Sequence, residues 1–194
     1  MEKPIIATNL NGLLIEHKAF IEPHKDWFDR AIEKTGDISL ANWKGKEDYF
    51  KGVNLAMEKI MPDATQEQRT EQARKWYQED VIKYIQENPQ VIKKDVVEKL
   101  RNLKEKFELI LLTTNTLDHI NKILEVSKLQ GIYNKIIASK TEKEPNKKEL
   151  ITELINKYGI PKYYITGKQD SETIKKFKEL GTNIITEKEI DKII

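Results

Sequence analysis

From about residue 89 onward, short apolar runs alternate with helical stretches, and this alternation constrains the fold more than any other feature of the sequence. Residues 107–112, 135–138, 162–166 and 183–185 are rich in Ile, Leu and Tyr and have the length of buried strands. Between them, residues 94–106, 117–129, 146–158 and 171–180 carry apolar side chains at helical spacing, and residues 188–194 read as a last short helix. Gly159 and Gly181 supply stop signals for two of these helices. A fifth run, Ile5-Ile6-Ala7-Thr8, opens the chain. Strands separated by single helices imply parallel pairing and right-handed crossovers, and parallel strands covered on both faces lack a polar alternation. The sequence therefore predicts an α/β fold with a five-stranded parallel sheet flanked by helices.

Residues 16–88 have a different character. Helical spacing continues there, but strand-like runs are missing. The segment containing Trp27, Phe28, Ala31 and Ile32 predicts one amphipathic helix that stops at Gly36. A second runs from Glu47 towards Met61 and ends at Pro62; a third runs from Gln66 past Ile85, with Asp63 or Thr65 as its cap. All three tryptophans, Trp27, Trp43 and Trp76, lie in this region. They are expected to form the core of a small helical module. An exposed aromatic face would instead suggest a protein-docking module, with a partner the sequence does not name. The predicted organisation is a core of residues 1–15 and 89–194, interrupted by an all-helical insertion over 16–88.

Composition narrows the function classes. Charged residues make up 34% of the chain at a net charge of +2, so the clustered basic excess of a nucleic-acid-binding protein is missing. There are no cysteines, which excludes disulfides, thiolate metal sites and cysteine nucleophiles. No apolar run approaches the roughly 18 residues of a membrane span. A cytoplasmic protein without nucleic-acid or membrane partners is expected.

The candidate site follows from where the apolar runs end. The first gives way to Asn9-Leu10-Asn11-Gly12, two short polar side chains and a glycine beyond a strand tip. In open α/β sheets ligands bind in the crevice beyond the carboxyl ends of the strands. The second run ends in Thr113-Thr114-Asn115, the segment 140–148 before a helix is lysine-rich, and the fourth run ends in Gly167-Lys168-Gln169-Asp170-Ser171-Glu172.

This order of motifs resembles the haloacid dehalogenase (HAD) superfamily, a Rossmann-like fold with a helical cap inserted after the first strand. The resemblance covers nearly the whole chain. It implies that positions 9 and 11 match the two aspartates of Asp-x-Asp-Gly, the nucleophile and the general acid and base. Here both are asparagine. A neutral amide is a very poor nucleophile and exchanges no proton near neutral pH. The resemblance further assigns the phosphate-holding hydroxyl to Thr114, with Thr113 one position away, and the neutralising lysine to Lys147, with Lys143 and Lys148 as alternatives. In the family a Gly-Asp-x-x-x-Asp motif holds magnesium. Lys168 and Glu172 stand in its place. Magnesium is a hard cation that seeks carboxylate oxygens, so no cofactor is expected, and magnesium would be required only if the chain is an active phosphohydrolase. The first expectation is thus a non-catalytic HAD-like protein holding a small phosphate or carboxylate ligand through Thr114, Asn115, Lys147 and Lys168. An active phosphohydrolase acting on a small phosphorylated metabolite is the alternative, drawing its acids and bases from Asp170, Glu172, His17, His24 and His119. The three histidines are each expected to be ordinary surface residues.

Overall fold

The computed structural model describes residues 3–46, 48–140, 146–167 and 171–194. The chain divides into two units, Met1–His17 with Pro89–Ile194, and Lys18–Asn88. The first contains five parallel strands, β1 (Ile5–Thr8), β2 (Glu108–Thr116), β3 (Lys135–Ser139), β4 (Tyr163–Thr166) and β5 (Asn183–Thr186), in the order β3-β2-β1-β4-β5. Helices α4 (Lys94–Leu103), α5 (Leu117–Val126), α6 (Lys147–Tyr158) and α7 (Ser171–Glu179) make the connections, and a 3-10 turn, Glu187–Lys192, ends the unit.

β1 is the central strand because it is apolar on both faces. Ile6, Ala7 and Thr8 are fully buried. Ala7 pairs with Ile110 on one side and Tyr164 on the other, and Thr8 with Leu111 and Ile165. One core collects Ala7, Ile110, Leu112 and Tyr164 from the sheet with Leu150, Leu154 and Phe177 from α6 and α7. β2 and β3 lie to one side of β1, and β4 and β5 to the other. The strand order reverses at the carboxyl edge between β1 and β4, the kind of switch point where α/β sheets open a crevice.

Among the boundaries that differ from the sequence expectation, two in this unit follow from local backbone geometry. β2 continues past Leu112 to Thr116, and its pairing with β3 shifts: Leu112 faces Ile137, but Thr116 faces Ser139. Four steps on β2 against two on β3 make a bulge, a device that redirects side chains at a strand tip. α5 stops at Val126 rather than Leu129, because Lys128 adopts a left-handed conformation (φ 56°) that lets Leu129 donate back to the Leu124 carbonyl. The turn leaves Leu129 buried.

The second unit is all helical: α1 (Lys18–Thr35), α2 (Tyr49–Ile60) and α3 (Gln66–Glu87), with a 3-10 turn over Ile38–Trp43. α1 starts earlier than its spacing suggests and runs through Pro23. Proline removes a helical hydrogen bond, but Phe20, Pro23, Trp27, Phe28 and Ala31 all lie on the buried face, and burial outweighs the lost bond. Thr65 caps α3 in a reciprocal capping box with Gln68. The core joins Trp27, Phe28, Leu40, Met57 and Ala73, with Trp43 and Trp76 partly buried against it. The Trp27 indole N–H donates to the Ala73 carbonyl at 3.1 Å. The tryptophans thus serve the packing of this unit itself.

Candidate functional site

The loop after β1 is built by its own backbone. The Leu10 carbonyl accepts from the amides of Leu13 and Leu14, the Gly12 amide donates to Ile15 at 2.7 Å, and Gly12 takes φ 79°, a value that favours glycine. Leu10, Leu13, Leu14 and Ile15 are buried, which leaves Asn9 and Asn11 as the polar groups of the tip. On one side the β4 tip packs directly against this loop: a Cβ on Gly167 would lie 1.9 Å from the Gly12 carbonyl oxygen. The Lys93 ammonium donates to the same carbonyl at 2.8 Å and meets the Glu187 carboxylate at 2.5 Å. No motif marks Lys93 in the sequence; its role depends on a contact across 81 residues.

The asparagine pair is internally bonded. Asn9 Nδ2 donates to the Asn11 backbone carbonyl at 2.9 Å. A carbonyl only accepts, so this contact fixes which way the Asn9 amide points. Its Oδ1 is then buried without a hydrogen-bond partner among the described residues. Asn11 Oδ1 faces His17 Nδ1 at 2.8 Å. An amide oxygen is also only an acceptor, so the imidazole donates from Nδ1. His17 is exposed, as expected.

At the β2 tip, within the bulged stretch, the Thr113 hydroxyl accepts from the Asn115 backbone amide at 3.2 Å and from Asn115 Nδ2 at 3.3 Å. Thr113 is buried, while Thr114 and Asn115 are half-buried. At the start of α6, Asn146 caps the helix by accepting from the Lys148 amide at 3.0 Å. Lys147 and Lys148 are exposed in its first turn. The Lys148 ammonium lies 3.3 Å from the Glu172 carboxylate at the start of α7, so the third and fourth sequence motifs meet through these two side chains. Lys143, Lys168 and Asp170 lie outside the described residues.

Two histidines depart from the surface role expected of them. His119 is buried in the first turn of α5, on the same face as Ile120, Ile123 and Leu124. That helix packs on β2 and β3, which turns position 119 inward. His24 belongs to the helical unit, its ring stacked on Tyr77 and tilted against Tyr49, each 4.3 Å away. Burial lowers its pKa to about 4, so it is neutral at physiological pH. Thr8 at the end of β1 donates to the buried Tyr133 hydroxyl at 3.2 Å, and burial pushes that phenol far above its ordinary range.

The donor set can be tested against magnesium. Asn9 turns an N–H towards the Asn11 carbonyl, Asn11 Oδ1 faces a histidine N–H, and the Glu172 carboxylate faces Lys148. Among the described residues no three His, Asp or Glu side chains gather in a metal-binding group. A hard divalent cation seeks several oxygens, carboxylates among them. The described donor set does not fit one.

Comparison with known proteins places the fold. No family model matches the sequence. A protein of Haemophilus somnus described as a predicted phosphoglycolate phosphatase superposes with a TM-score of 0.60 at 16% identity, over 96% of this chain and 85% of that one. A Bacillus subtilis protein described as a HAD-hydrolase, whose structure was determined bound to magnesium, superposes with a TM-score of 0.56 at 16% identity, over 95% of this chain and 88% of that one. The chain thus has the haloacid dehalogenase fold: five parallel strands flanked by helices, with a helical insertion after the first strand. In sequence, phosphoglycolate phosphatase of Aquifex aeolicus is 29% identical over 132 residues, which cover 59% of this chain and 60% of that protein's length.

Proposed function

We propose that this protein is a non-hydrolytic HAD-fold protein that holds a small anion, a phosphate or carboxylate, at the carboxyl edge of its sheet in a binding or regulatory role. The observation that carries this reading is the Asn9 side chain, a neutral amide already bonded to the Asn11 carbonyl where an enzyme of this fold would present its nucleophile. An amide does not attack phosphorus, and Asn11 has no proton to exchange near neutral pH. The anion pocket is assigned to Thr114, Asn115, Lys147 at the amino terminus of α6, and Lys168. Helix amino termini and loop amides favour anions without a metal, so the proposal includes no cofactor. It places the protein in the cytoplasm, without nucleic-acid or membrane partners.

Phosphoglycolate, which names the Aquifex relative's activity, carries both a phosphate and a carboxylate and is a suitable first probe. Isothermal titration in the presence of a chelator is expected to give saturable binding, with no inorganic phosphate released over hours. Released phosphate would overturn the reading, and so would a flat titration with phosphoglycolate, inorganic phosphate and short dicarboxylates alike.

One observation favours a second reading, an active phosphohydrolase. Asn11 Oδ1 lies 2.8 Å from His17 Nδ1, and an imidazole beside position 11 would supply acid–base capacity that Asn11 itself lacks. Under that reading His17→Gln abolishes phosphate release while binding persists.

A further inference from the structure

We infer that the Asn9 carboxamide does within the chain what a bridging cation would do for a carboxylate at the same position: it ties residue 9 to the Asn11 carbonyl and closes the loop after β1 without a metal. The geometry is specific. Nδ2 and the carbonyl oxygen are 2.9 Å apart. Replacing that nitrogen by a carboxylate oxygen would bring two acceptors, one charged, to hydrogen-bond distance with no proton between them. Such a pair separates, takes up a proton, or holds a cation. Asparagine avoids all three outcomes, because its N–H supplies the positive end of the bridge. The other amide atom, Oδ1, is buried and has no hydrogen-bond partner among the described residues, so among those residues the bridge to the Asn11 carbonyl is what this side chain contributes to the loop.

The neighbouring contacts agree with a loop closed from inside. The Gly12 carbonyl is held by the Lys93 ammonium and abutted by Gly167, and Asn11 Oδ1 is engaged by His17. The loop's described polar contacts are therefore made with groups of the chain. As a consequence, the conformation of the loop after β1 is independent of divalent cations. This inference rests on the proposed non-hydrolytic reading but is tested through stability, so the two stand or fall separately.

The test is thermal unfolding of wild type, Asn9→Ala, and Asn9→Asp combined with Lys168→Gln, each in chelator and in millimolar magnesium. The lysine is replaced so that its ammonium cannot take the cation's part. Wild type is expected to melt at one temperature in both buffers. Asn9→Ala should melt lower by about 2–4 °C, the shift that loss of one hydrogen bond makes in a chain of this size, and magnesium should not recover it. The double variant should melt lower in chelator and be raised by magnesium towards wild type. Wild type rising with magnesium as much as the double variant would overturn the inference. So would Asn9→Ala melting with wild type, or a double variant indifferent to magnesium. If the melting behaves as expected and phosphoglycolate and inorganic phosphate both fail to bind, the latch stands and the anion-binding function falls.

Discussion

Gly167 at the tip of β4 and Gly12 in the loop after β1 are in direct backbone contact: a methyl group added at Gly167 would sit 1.9 Å from the Gly12 carbonyl oxygen and 2.2 Å from its carbon. The neighbour is backbone, already held by Lys93 on another side, and it cannot yield as a flexible side chain would. Gly167→Ala is expected to cost at the upper end of the roughly 1–3 kcal/mol typical of overpacking and to weaken anion binding as the Asn9–Gly12 loop is displaced. Denaturant unfolding and titration of the variant check both effects. A variant as stable as wild type would mean the two tips separate readily.

In the helical unit, Asp80 carries a different kind of prediction. The carboxylate on α3 is buried, one oxygen paired with Arg30 on α1 and the other without a hydrogen-bond partner among the described residues. Burial pushes its pKa up to about 6 against the opposing pull of Arg30. A carboxyl whose folded pKa exceeds its unfolded value binds its proton more tightly when folded, so this contribution to stability is full below about pH 4 and is lost as pH rises through about 6. Asp80→Asn is expected to flatten the pH dependence of unfolding between pH 4 and 7. Parallel slopes for the two proteins across that window would contradict it.

Introducing aspartates at the positions where HAD-fold enzymes are expected to carry them, one motif at a time, tests whether the proposed absence of catalysis is distributed. Asn9→Asp with Asn11→Asp should not produce magnesium-dependent phosphatase activity while Lys168 remains. A lysine about 4 Å from a metal's position opposes each unit of its charge by roughly 4 kcal/mol at an effective dielectric of 20. Adding Lys168→Asp should raise turnover of an aryl phosphate by at least about tenfold, the equivalent of 1.4 kcal/mol. Robust turnover in the double variant alone would show that Lys168 is remote from the metal region.

The parts of this molecule that were legible in the sequence are those set by local pattern. The runs at 5–8, 107–112, 135–138, 162–166 and 183–185 gave the five strands because β-branched and apolar residues cluster there, and Gly36 and Gly159 marked helix ends through their backbone freedom. What stayed hidden depends on distant partners. The start of α1 before Pro23 follows from the packing of Phe20 and Trp27, the β2 bulge from its register with β3, and the burial of His119 from the helix face turned to the sheet. The site shows the same division. Asn9 and Asn11 stand out as polar groups at a strand tip, but the amide bridge between them, the His17 contact and the Lys93 clamp are three-dimensional facts. Lys148 facing Glu172 likewise joins two motifs that sequence could only place separately.

The most direct test of the central claim is phosphate release by the unmodified protein, measured with an aryl phosphate and with phosphoglycolate, first in magnesium and then in chelator. The neutral Asn9–Asn11 pair predicts no turnover above a heat-denatured control in either buffer. Phosphate release that depends on magnesium and stops with chelator would contradict the account, because it would require a carboxylate nucleophile and a metal site that the described residues at the β1 tip do not provide.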